Sequence, residues 1–111
     1  MLDLEYLGEV SMEIIAYAGV AKSKYIEAIK KARLYQFDEG MQLISEGDEM
    51  MHTVHDTHLK LLQKEATENV AQSSLLVMHA EDQLMNSETI KLMALEMIEV
   101  YKQIQEMKGG I

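Results

Sequence analysis

The chain of 111 residues carries a net charge of −9 and has no cysteine, proline or tryptophan, and its length fits one domain over residues 1–111. That acidity argues against nucleic acid and anionic lipid as partners, because their phosphates would repel it, and the missing cysteines exclude disulfides and thiolate metal sites. The apolar content lies in Leu, Ile, Val, Ala and ten Met, most of them good helix formers, so the composition predicts an all-α fold.

The opening Met1-Leu2-Asp3-Leu4-Glu5 puts acids where a signal peptide needs a basic region. No apolar run approaches the roughly 18 residues of a membrane span, so a cytoplasmic chain with no membrane insertion is expected. A first helix is predicted over residues 9–33. Its apolar stripe is Val10, Ile14, Ala18, Ala21, Tyr25, Ala28 and Ala32, spaced three and four apart. Small residues at Ala18, Gly19 and Ala21 would let a neighbouring helix approach closely. The first turn falls at Leu34-Tyr35-Gln36, and Asp38 and Glu39 suit the positive end of the next helix.

A second helix is predicted over residues 38–66, with a stripe through Ile44, Met51, Val54 and Leu61. Gly40 and Gly47 share that stripe, which weakens the helix and points to close packing. Thr67-Glu68-Asn69 ends it, and Ser73-Ser74 could cap the next helix. That third helix is predicted over residues 74–107. Leu76, Ile90, Met93, Met97, Val100, Ile104 and Met107 form a heptad-like seam. Leu75, Met78, Met85 and Leu92 make a second stripe, and Val77, Leu84, Leu95 and Ile98 a third. A helix apolar nearly all round is buried nearly all round, and two partner helices cannot cover it, so self-association through this helix is expected.

Traced backward from Ile90, the seam turns polar at Asn86, Gln83 and His79 before Leu76 resumes it, and Asp82 interrupts the second stripe between Met78 and Met85. A solvated face or a satisfied hydrogen-bond network would account for most of these groups. Either accounts poorly for a carboxylate among methionines, which is unfavourable unless paired or bound to a cation. The sharper reading is a nucleophilic histidine. Neutral imidazole attacks phosphorus with one ring nitrogen while a hydrogen bond to the other fixes the tautomer. Glu81, Asp82, Gln83 or a neighbouring chain could supply that bond. With no serine or cysteine nucleophile beside it, such a histidine fits phosphoryl carriage better than acyl transfer.

A second cluster is His52, His55 and His58 with Asp56. Spacings of three spread these rings over about a third of the helix circumference. The common metal pairing is i, i+4, and no second segment matches this one. His58 falls on the apolar stripe and reads as a core histidine, and His55 as a second-site contact. Tyr17, Tyr25 and Tyr101 are expected to pack in the bundle with their hydroxyls at its edge. The absence of a Gly-rich phosphate loop argues against direct use of ATP. The rival readings are an acidic helical adaptor or assembly module without chemistry, and a metal store built on the three clustered histidines.

The stretch Val77-Met78-His79-Ala80-Glu81-Asp82-Gln83-Leu84-Met85 resembles the phosphorylation-site segment, commonly VHAQDHLM, of the IIA components of lactose/cellobiose-type sugar phosphotransferase systems. Ile14-Ile15-Ala16-Tyr17-Ala18-Gly19-Val20-Ala21-Lys22-Ser23 resembles the family's first-helix pattern IIxHAGxARS. Phe37-Asp38-Glu39, His55 and Leu61-Leu62-Gln63-Lys64-Glu65-Ala66 resemble its second helix, in the right order along nearly the whole chain. The resemblance implies a homotrimer of antiparallel three-helix bundles. It implies that His79 accepts phosphate from the phosphocarrier HPr and passes it to a IIB cysteine. It implies also that Asp82 binds a divalent cation, usually Mg2+, shared among the subunits, with Gln83 and His55 as auxiliary residues. Tyr17 stands where the family often has histidine, Lys22 where it often has arginine, and Gln83 where histidine is common. The family's usual glycine in the first turn is absent. The sugar, whether lactose, cellobiose, chitobiose or another β-glycoside, is not specified.

Overall fold

The computed structural model describes residues 4–68 and 75–109, helical throughout except at 34–36. Its helices are α1 (Leu4–Arg33), α2 (Phe37–Glu68) and α3 (Leu75–Gly109), the predicted all-α three-helix architecture. The expected cap at Ser73 and Ser74 lies outside the described residues.

α1 begins earlier than predicted because Leu7 carries its buried stripe toward the N-terminus, and Ser11 is buried on the same face. From Val10 to Ala32 every predicted stripe residue is buried. Lys30, Lys31 and Arg33 in the last turn suit the negative end of the helix dipole. The chain then reverses through Tyr35, whose φ of 63° is left-handed. The amide of Gln36 donates to the Lys31 carbonyl at 2.9 Å, and that of Tyr35 to the Ala32 carbonyl at 2.9 Å. This is the paired-bond stop by which helices satisfy their last carbonyls, with tyrosine in the place usually held by glycine.

α2 lies close against α1, and its two interior glycines show how close. A Cβ on Gly40 would stand 3.2 Å from the Ala28 carbonyl oxygen, and one on Gly47 2.5 Å from a ring carbon of Tyr25. The Tyr25 ring therefore crosses α2 where only a glycine leaves room, and its hydroxyl donates to Asp48 at 2.8 Å. Ile44, Met51, Val54 and Leu61 are buried as predicted.

α3 has three apolar stripes, and the bundle buries one of them. Its buried residues are Val77, Ala80, Leu84, Ser87, Ala94 and Ile98, so the third stripe packs inward. On the predicted seam, Leu76, Met93, Val100 and Met107 are exposed, and so are Leu75, Met78, Met85 and Leu92 of the second stripe. The chosen face is the one with small residues, Ala80, Ser87 and Ala94, every seven positions. These let α3 sit close to Ala18 and Ala21 of α1, and Ser87 Oγ donates to the Ala18 carbonyl at 2.9 Å. Apolar content alone could not rank the three stripes. α1 is thus the central helix, touching both others, while α2 and α3 barely meet. The assembly is a slab of 64 × 20 × 16 Å, with α2 antiparallel to both neighbours.

Candidate functional site

His79 lies in the second turn of α3 and is exposed. Within the chain no described residue hydrogen-bonds its ring. Asp82, one turn further on, is likewise exposed and unpartnered among the described residues. Both stand on the uncovered side of α3, among Leu75, Met78 and Met85, which are 85%, 53% and 55% exposed. The histidine and the carboxylate singled out from the sequence are therefore brought together on an apolar face that the fold leaves open.

The other members of the predicted set separate. Gln83 is partly buried and Asn86 exposed. Glu81 turns to the opposite side of the helix, where its Oε2 accepts from His58 Nε2 at 2.8 Å. Glu81 is thus engaged elsewhere and does not hold the His79 ring. His58 is not an apolar core residue as expected. Its side chain is 22% exposed and held in a polar pair that joins α2 to α3. His55, the expected auxiliary, meets Glu88 at 3.0 Å. Glu88 lies nine residues beyond His79, about 13 Å along the helix axis. His52 is exposed, and Asp56 pairs with Lys60 at 3.3 Å. The histidine cluster therefore diverges, and among the described residues no three His, Asp or Glu side chains are placed to hold a metal ion.

Sequence reasoning missed the polar seam between α2 and α3. Asp48 receives both the Tyr25 hydroxyl and, at 2.9 Å, the Lys91 ammonium. Burial pushes the Tyr25 phenol well above its ordinary range, and the bond to Asp48 and the charges of Asp48 and Glu88 add to it, so the hydroxyl remains a donor. Above this network an open cleft of about 560 Å³ is lined by Asp48, His52, His55, Glu88, Lys91 and Leu92 among others. These contacts join helix faces far apart in the chain, and no local spacing announces them.

Among the described residues no helix is long and apolar enough to cross a membrane. Residues 9–102 match the family described as "PTS system, Lactose/Cellobiose specific IIA subunit". The lichenan-specific phosphotransferase enzyme IIA component of Bacillus subtilis is 33% identical over 106 residues, covering 96% of each chain. The lactose-specific EIIA component of Staphylococcus epidermidis is 36% identical over 93 residues, covering 84% of this chain and 89% of that one. The crystal structure of the cellobiose-specific enzyme IIA from Bacillus anthracis superposes with a TM-score of 0.85 at 28% identity, over 95% of this chain and 94% of that one. The chain belongs to the lactose/cellobiose-specific IIA components of the sugar phosphotransferase system.

Proposed function

We propose that the chain is a cytoplasmic phosphohistidine carrier in which His79 accepts a phosphoryl group from phospho-HPr and delivers it to a IIB cysteine during uptake of a β-glycoside. The observation that carries this reading is an unpartnered, solvent-exposed imidazole, lying in the stretch Val77–Met85 that resembles the family's phosphorylation-site segment. A ring nitrogen of His79 attacks phosphorus in line as the phosphorus–nitrogen bond to the HPr histidine breaks. The phosphoryl group later leaves His79 as a bond to the IIB thiolate forms. Little covalent work falls to the protein, so rate comes from positioning and from neutralising the transferred charge. The similar proteins are named for three different sugars, lichenan, lactose and cellobiose, and so do not fix the sugar.

The active form is a homotrimer in which the uncovered apolar stripes of α3 face one another. One chain supplies only a single carboxylate at Asp82, too few oxygens for a cation. Three copies about a threefold axis would supply a hard-oxygen set suited to Mg2+, which would offset their mutual repulsion. The chemistry is tested by incubating the protein with phosphoenolpyruvate, enzyme I and HPr. A single acid-labile, base-stable phosphate is expected, absent from His79→Ala although its helix content and oligomeric state are kept. Normal labelling of that variant would end the assignment to His79.

A further inference from the structure

α2 and α3 rest on α1 rather than on each other. The polar contacts that span them include Asp48–Lys91, His55–Glu88 and His58–Glu81, at 2.9, 3.0 and 2.8 Å. The first two attach beyond the second turn of α3. The third attaches two residues after His79. Within one chain, Val77 and Ala80 are the residues of that opening stretch buried before Leu84, two small side chains that give the bundle little grip on its rotation.

A helix advances about 100° per residue, so Glu81 points roughly opposite to His79. Any rotation of α3 about its axis, or lift away from α2, that stretches the His58–Glu81 bond swings the His79 ring by a comparable amount. The two side chains are only 22% and 38% exposed, so water competes for this bond less than for a fully exposed pair. A displacement of about 1 Å at a reacting atom is enough to slow a transfer reaction substantially.

We propose that His58 is a positioning residue for phosphoryl transfer: its Nε2–H bond to Glu81 fixes the first turns of α3 against α2 and so presents the His79 ring to the incoming phosphorus. This rests on the carrier reading above. A residue that only stabilised the fold would change the melting temperature and leave the rate of the folded protein alone. A positioning residue changes the rate at saturating donor and leaves the dependence on donor concentration unchanged.

The experiment measures transfer from phospho-HPr to the full chain at 25 °C, with melting curves for each variant. His58→Leu and Glu81→Leu should each lower the saturated rate by about five- to tenfold, the scale of one partly shielded hydrogen bond, with KM for phospho-HPr unchanged. The double variant should be no slower than either single one. His58→Gln, whose amide N–H reaches to where Nε2 stood, should recover to within about twofold of wild type. Wild-type rates in a folded His58→Leu, additive losses in the double variant, or a His58→Gln as slow as His58→Leu would each overturn the proposal. Should His58→Leu not fold, Glu81→Leu against Glu81→Gln carries the same comparison from the other partner. A wild-type chain that takes no phosphoryl group overturns the carrier reading and this proposal together. Normal wild-type transfer with undiminished variants overturns only the role of His58.

Discussion

Tyr35 holds a left-handed backbone at φ 63°, a conformation that brings the Cβ of an L residue against the adjoining carbonyl at about 1–2 kcal/mol. Glycine adopts it freely. The tyrosine ring recovers part of this through its tilted contact with Phe37, ring centres 6.1 Å apart. Tyr35→Gly should therefore stabilise the fold by about 0.5–1 kcal/mol, a rise of a few degrees in melting temperature, checked by thermal unfolding. A lower melting temperature would mean that the ring contact outweighs the backbone strain. The same attention to single residues separates the α2 histidines. The resemblance to known relatives singled out His55, yet its partner Glu88 is remote from His79, while His58 grips the turn that bears it.

Between helices, the informative residues are the smallest. Gly47 sits on the α2 stripe, where alanine would improve helix propensity by about 1 kcal/mol. The added Cβ, however, would lie 2.5 Å from the Tyr25 ring. The ring must then move, and with it the bond to Asp48. Gly47→Ala should thus destabilise by a net of about 1–3 kcal/mol. Gly8→Ala, with nothing within 4 Å of the added atom, should be neutral or stabilising. Equal effects in denaturant titrations of the two variants would contradict the close approach of α1 and α2. The stripes of α1 and α2 were legible in the sequence because each has one apolar face. α3 has three, and the choice among them depends on where α1 can come close, which the small residues Ala80, Ser87 and Ala94 decide. His79 and Asp82 were legible for a related reason, since each breaks an apolar stripe. The His58–Glu81 pair was not, because it joins positions 23 apart through a fold that one-dimensional periodicity does not encode.

At the scale of the whole molecule, the single chain exposes 7160 Å², against about 6200 Å² for a monomer of its mass, 12.7 kDa, by the usual surface scaling. On α3 the exposed surface includes a run of apolar side chains, where Leu75, Met78, Met85 and Leu92 flank Asp82. Covering that face with two further copies would bury the stripe and bring three Asp82 carboxylates together on the axis. Charges so placed repel, and burial strengthens the repulsion, so an ion with oxygen ligands should hold the centre. Asp82→Leu should give a trimer indifferent to chelators, and one at least as stable as wild type, because an apolar side chain replaces a charge that needs a partner. Asp82→Asn should weaken cation binding without restoring the apolar contact. Sedimentation of the wild-type protein with and without a chelator, beside both variants, distinguishes the two parts of the proposal. A stable monomer at micromolar concentration would defeat the trimer, and a chelator-indifferent wild-type trimer with no bound cation would defeat the role of Asp82.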